Sequence, residues 1–274
     1  MVSGSWPRCL AALLLVAVTA VAPLVAAETA REILDRRQAL EDGPRRWTDR
    51  VEKLSLVIED GRGGERRREL TRYERRVPGS GTKTLVFFHA PAEVKGTGFL
   101  SVGRLGAAAD QWLFLPELRR VRQIASRARG ESFVGTDLSY ADLDMVADMP
   151  WWTEEDARSL LRATETIDGV ENWVIELDPQ RDTIPYARIV LWLAKTDLVP
   201  RRLELFADDA AASPTKRLEQ RAIRTVGAVP VPHEIEVATL GKGSRTRVTT
   251  SSVAFDTGLS DDLFTQRALE RGEP

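Results

Sequence analysis

Beyond one apolar run at residues 10–22, the hydrophobic positions of this chain fall mostly in short alternations with polar ones. That period of two is the mark of half-buried strands. Leu54, Leu56 and Ile58 alternate with Ser55, Val57 and Glu59, and residues 60–64 (Asp-Gly-Arg-Gly-Gly) read as a hairpin turn. The returning run, residues 65–77, is so heavily charged that it predicts an edge strand or a solvated face. Strand-like runs continue at residues 82–89, 94–104, 111–115 and 119–124. Asp168-Gly169 is a two-residue hairpin signal between runs at 163–167 and 170–177. Runs at 186–194 and 199–206 form another pair, and 215–226, 231–240 and 244–255 complete the series. About a dozen strands joined by short turns predict an antiparallel meander rather than βαβ units.

Two stretches break the alternation. Residues 29–40 carry Ile33, Leu34 and Leu40 at helical spacing, and Gly43-Pro44 ends the pattern. Residues 138–162 predict one or two short helices crossing between parts of the sheet, with Thr153 as an N-cap ahead of acidic residues. No linker rich in Pro, Gly or Ser and no repeat divides the chain, so residues 28–274 read as one domain.

The apolar run changes the picture of where this domain works. Arg8 precedes it and Val25-Ala26-Ala27 follows it, the layout of a cleavable signal peptide over residues 1–27 that directs the rest to the periplasm. The run is short for a membrane span. Cys9, the single cysteine, stands before the run rather than at the cleavage point, which predicts a mature chain with neither a lipid anchor nor a thiol. The formal charge of −2 becomes one unit more negative without Arg8, far from the basic excess that nucleic acid demands.

Catalytic chemistry is hard to find. His89 and His233 each lack a partner at metal-ligand spacing, and there is no nucleophile elbow or P-loop. Asp142, Asp144 and Asp148 lack the glycine and terminal Glu of a calcium loop and suit a solvated or helix-terminal role. Asp137 and Glu131 have no identifiable catalytic partner. Gly96-Thr-Gly98 predicts a bulge or a tight sheet contact rather than a dinucleotide loop. No enzyme activity, metal or cofactor is expected.

Two concentrations of residues remain. Arg119, Arg120, Arg122, Arg127 and Arg129 cluster in one short run, with Arg120, Arg122 and Ile124 on one strand face. They suit either a salt-bridged solvated surface or contact with a lipid head group or acidic partner, for which Arg120, Arg122, Arg127 and Arg129 are the candidates. Trp112, Phe114, Leu115, Phe133, Tyr140, Trp151 and Trp152 are the apolar candidates. They form either an ordinary core or the wall of a cavity for acyl chains.

The blocks 110–116, 119–124, 129–140 (Arg-Gly-Glu-Ser-Phe-Val-Gly-Thr-Asp-Leu-Ser-Tyr) and 258–267 together resemble the periplasmic outer-membrane lipoprotein-sorting-like family, relatives of LolA and LolB. The resemblance implies an α+β fold: a strongly curved antiparallel β-sheet, an incomplete half-open β-barrel, with short helices covering its concave side. It also implies a carrier of a lipid or acylated cargo, acting with an inner-membrane transporter of the RND/MMPL type or an outer-membrane receptor. A transporter adaptor that carries no lipid is the alternative. A monomer that binds no nucleic acid is expected.

Overall fold

The structure is a computed structural model describing Met1 and residues 28–273. The leader expected at residues 1–27 lies, apart from Met1, outside the described residues.

Helix α1 (Ala30–Asp42) begins at a capping box. The Glu32 N–H donates to the Thr29 hydroxyl at 3.3 Å, and the Thr29 N–H donates to the Glu32 carboxylate at 2.8 Å. Thirteen strands follow. The first six are β1 (Asp49–Glu59), β2 (Glu65–Val77), β3 (Gly81–Ala90), β4 (Gly98–Arg104), β5 (Ala107–Leu115) and β6 (Arg120–Gln123). After helix α2 (Tyr140–Asp148) come β7 (Ala157–Ile167), β8 (Val170–Pro179), β9 (Arg188–Ala194), β10 (Pro200–Phe206), β11 (Lys216–Val226), β12 (Val229–Thr239) and β13 (Ser244–Phe255). A short helix, α3 (Gln266–Arg271), ends the order.

All strands join one antiparallel sheet in the order β6-β5-β4-β3-β2-β1-β13-β12-β11-β10-β9-β8-β7. The chain enters at mid-sheet, runs out to one edge at β6, crosses to the other edge at β7, and meanders back until β13 pairs with β1. The sheet is curved and does not close: a half-open barrel. At the β7–β8 hairpin, Asp168 (φ 49°) and Gly169 (φ 78°) both adopt the left-handed conformation that a tight two-residue turn requires.

Two expectations are corrected. The charged strand β2 is no edge but sits between β1 and β3; the solvated alternative holds for its first half, where Glu65, Arg66, Arg67 and Glu69 are exposed. Its charges are tolerated because partners face them across the sheet: Arg72 opposes Glu52, and Glu74 opposes Arg50. Thr153 caps only a single turn, its carbonyl accepting from the Asp156 and Ala157 N–H groups, before β7 takes over. The helix of the crossing segment is α2 instead, capped by Ser139 and Asp142.

Alternation assigns each strand two faces. On the concave face, Leu54, Leu70, Phe88 and Phe99 of β1–β4 form one apolar cluster, and Ile175, Leu191, Leu203, Leu218 and Val237 of β8–β12 form a larger one. On the opposite face Leu85, Phe87 and Leu100 pack under Phe264 and Leu269 from the C-terminal segment. Gly98 lets α3 approach: a Cβ there would lie 2.6 Å from Leu269 Cδ1. That is the tight sheet contact expected of it. Asp49 directs the tail onto this face, accepting the Thr257 N–H at 2.8 Å, the Thr257 hydroxyl at 2.7 Å and the Gly258 N–H at 3.1 Å.

Beside the concave apolar clusters lies a buried ionic group of Arg50, Glu52, Arg72 and Glu74. Burial would push the Glu74 carboxyl up, but Arg50, Arg72 and the Thr84 hydroxyl outweigh it and hold the group at about 2. Its folded value is below the ordinary 4.5, so its stabilising contribution is complete above that value and is lost as pH falls toward about 2. We therefore expect the urea midpoint to fall across that window. Glu74→Gln should be less stable at neutral pH by on the order of 3 kcal/mol, with a shallower acid decline. Parallel acid profiles for the two proteins would show that Glu74 does not carry the effect.

Candidate functional site

Because β6 and β7 are opposite edges of the sheet, residues 124–156 must cross its concave mouth. The crossing brings Phe133 and Tyr140 onto the apolar face of β3 and β4. The Phe133 ring centroid lies 5.0 Å from that of Phe99, 5.9 Å from Phe88 and 5.8 Å from Tyr140. Farther along, Met145, Met149 and Trp152 cover the cluster of β8–β12 together with Ile33 of α1. Where α1 meets this segment, the remaining void is about 10 Å³, lined by Leu34, Arg37, Met149, Trp152, Leu177 and Leu191 among others. That is room for roughly one water molecule. The mouth is closed at this point.

The sequence-predicted aromatic set is split rather than gathered. Trp112 and Phe114 pair in register with Leu100 and Gly98, which turns them to the α3 face, away from Phe133 and Tyr140. Leu115 lies on the concave face and is half-buried. Trp152 is buried in the larger cluster, whereas Trp151 is half-buried and donates its indole N–H to Asp42 at 3.1 Å. Only Phe133, Tyr140 and Trp152 of the set are buried under the crossing.

The arginines divide as well. Arg120 and Arg122 stand exposed on the free edge strand β6, and Arg127 is exposed just beyond it. Arg129 is different: it pairs with Asp144 and donates to the Ala109 carbonyl at 2.8 Å, tying α2 to β5.

What the sequence reading missed is that acidic residues fasten this segment to the sheet. Among the described residues Asp137 has no cationic partner; its carboxylate accepts hydroxyls from Thr239 at 2.7 Å, Ser244 at 2.5 Å and Thr246 at 2.8 Å. Asp142, fully buried, accepts the Tyr186 hydroxyl at 2.6 Å and the Lys216 ammonium at 2.5 Å, and also caps α2 through the Ser139 N–H at 2.7 Å. Burial, with Asp142 alongside, pushes the Tyr186 hydroxyl up, so it remains a donor. Asp148 takes Arg181 at 2.6 Å and the Trp152 indole at 3.2 Å. The Ser139-x-x-Asp142 spacing was the readable signal of a capping box. The strand partners, 74 residues from Asp142 and 102 to 109 residues from Asp137, were not.

The arrangement is a polar-fastened cover over an apolar trough. Among the described residues, no group of His, Cys, Asp or Glu is placed to hold a metal ion, and no helix is long and apolar enough to cross a membrane. Asp137→Ala removes the acceptor of three hydroxyls, those of Thr239 and Thr246 buried and that of Ser244 half-buried. It should cost about 1–3 kcal/mol and speed hydrogen–deuterium exchange at residues 130–148 more than in β8–β10. Uniform acceleration across the sheet would mean that Asp137 supports the whole fold rather than the cover.

Comparison with known proteins places this geometry. No curated protein matches the chain. A family model described as an uncharacterized protein matches residues 80–271, well over half of the chain. Among solved structures, an outer membrane lipoprotein-sorting protein domain from Vibrio parahaemolyticus is 28% identical with a TM-score of 0.79, covering 88% of this chain and 98% of its own. A DUF1329 family protein from Desulfovibrio piger is 25% identical with a TM-score of 0.79, covering 88% of this chain and 100% of its own. A LolA superfamily protein from Nitrosomonas europaea, at 17% identity and a TM-score of 0.67, covers 88% of this chain and 100% of its own, and shares the fold. The chain thus belongs to the outer-membrane lipoprotein-sorting-like family, on a LolA-like half-barrel.

Proposed function

We propose that this protein is a non-catalytic periplasmic carrier, exported by its leader, that shields the acyl chains of a lipid or lipidated molecule during transport or sorting toward the outer membrane. The observation that carries this reading is the division of labour at the mouth of the half-barrel. The concave sheet face carries two apolar clusters, on β1–β4 and on β8–β12, and the segment above them combines apolar cover from Phe133, Tyr140, Met145 and Trp152 with polar fastenings at Asp137, Asp142, Asp144 and Asp148. A hydrogen bond exchanged for water costs only about 1 kcal/mol net. Exposing Phe88, Phe99 and Leu191 to water costs far more, at about 25 cal/mol per Å². An acyl chain that replaces Phe133 and Tyr140 on that face removes the larger cost. The relative that is described as a lipoprotein-sorting domain supports the same direction.

A second reading, an adaptor of an RND/MMPL-type transporter that carries no lipid, draws on the free edge at β6. Its backbone is open to pairing, and among the described residues Arg120, Arg122 and Arg127 make no ion pair. A strand edge lined with cations suits an acidic partner surface.

Native mass spectrometry of the mature protein, purified from its own envelope, separates the two. The carrier reading expects a retained lipid mass and an affinity for added fatty acids that rises about fourfold per methylene until the trough is full, from roughly 0.8 kcal/mol each. No retained lipid and no dependence on chain length would leave the adaptor.

A further inference from the structure

At the end of the trough beside α1, cations outnumber their partners. Arg76 of β2 donates to the Glu41 carboxylate at 2.9 Å and to the Glu41 carbonyl at 3.2 Å. Its guanidinium lies 4.0 Å from the Trp47 ring centroid and 5.0 Å from that of Trp151. Arg37, one helical turn before Glu41, and Arg45, just past the helix, complete the group. Burial depresses the Arg37 guanidinium; Glu41 opposes this, while Arg45 and Arg76 add to it by like-charge repulsion. Three guanidinium groups therefore share one carboxylate.

Among the described residues, Glu41 is the only acid in an ion pair with one of the three; Glu74 also attracts Arg76 but is itself paired with Arg50, and Glu52 is paired with Arg72. Three buried nitrogens, Arg37 Nε, Arg45 Nη1 and Arg76 Nε, have no hydrogen-bond partner among the described residues. Such donors are costly to leave unpaired, and a surplus of half-buried charge calls for an anion. Arg37 also borders the small void under Trp152, whose other walls include Leu34, Leu177 and Leu191. The cationic group thus adjoins the apolar interior directly.

We propose that Arg37, Arg45 and Arg76 form a phosphate-binding site that takes the head group of an anionic amphiphile whose chains enter the adjoining trough. The proposal rests on the carrier reading and narrows its cargo to phosphate-bearing lipids. Phosphate fits better than carboxylate because its larger set of acceptor oxygens can meet forks from three guanidinium groups at once. The indole walls of Trp47 and Trp151 keep water from screening the contact. Free phosphate offers the same chemistry without the chains.

The test is calorimetric titration of the mature chain, residues 28–274, with dihexanoylphosphatidate, with dihexanoylglycerol (the same chains without charge) and with inorganic phosphate. The expected result is phosphatidate binding roughly tenfold or more tighter than dihexanoylglycerol, the scale of one or two charged hydrogen bonds. Arg45→Gln should bring that ratio to about one, with Arg37→Gln as a second variant should the first fail to fold; thermal melts identify folded variants. Phosphate binding that Arg45→Gln abolishes, with neither lipid bound, would keep the anion site as a free-phosphate site and sink the carrier reading. Equal affinity for the two lipids, with no binding of phosphate, would overturn the anion site and leave the carrier standing. Binding of none of the three would overturn both.

Discussion

Everything in this molecule follows from an apolar concave sheet face that must be kept from water by a chain segment not belonging to the sheet. A meander that starts at mid-sheet ends its first half at one edge and starts its second half at the other. The connection between β6 and β7 is therefore forced across the mouth. Once there it needs apolar side chains to cover the trough, which Phe133, Tyr140, Met145 and Trp152 supply. It also needs partners for its own backbone and turns, which the aspartates supply by reaching β8–β13 and the loops beside them. Curvature, cover and closure are one solution to a single burial problem.

Much of this was legible from residue order. Alternation located almost every strand, since a half-buried strand must expose every second side chain. Asp168-Gly169 marked its hairpin, because few other residue pairs adopt two consecutive left-handed conformations. What failed were statements that depend on a distant partner. The charges of β2 looked like an edge because Glu52 and Glu41, which neutralise Arg72 and Arg76, belong to β1 and α1. Trp112 and Phe114 were grouped with Phe133 because period two shows that they share a face but not which one. Only pairing with Leu100 and Gly98 decides that. Asp142, Asp144 and Asp148 read as a solvated or helix-terminal group, and Asp142 does cap α2, but its tie to Lys216 of β11, like those of Asp137 to Thr239 and Thr246 of β12 and β13, depends on strands far along the chain.

The two faces of the sheet are managed differently, and the contrast bears on function. The α3 face is sealed by Leu269 against Gly98 and by the hydrogen bonds that converge on Asp49, with apolar contact dominating. The concave face is covered by a segment whose apolar contacts are joined by carboxylates paired with hydroxyls and cations, polar groups that water can serve once they are exposed. In the carrier reading proposed above, the first cover stays and the second gives way to a ligand that satisfies the apolar surface beneath it. The cationic group at Arg37, Arg45 and Arg76 lies where such a ligand would leave its polar end.

In the carrier reading, the crossing segment must leave the trough for cargo to enter. Residues 28–274 contain no cysteine, so a single engineered disulfide can lock it. Asp137 and Thr246 are in direct contact, the carboxylate accepting the hydroxyl at 2.8 Å, and Asp137→Cys with Thr246→Cys would bridge the cover to β13. Uptake of a fluorescent fatty acid by the double variant should be blocked when it is oxidised and restored by reductant. Equal uptake in both states would show that cargo does not enter beneath this segment.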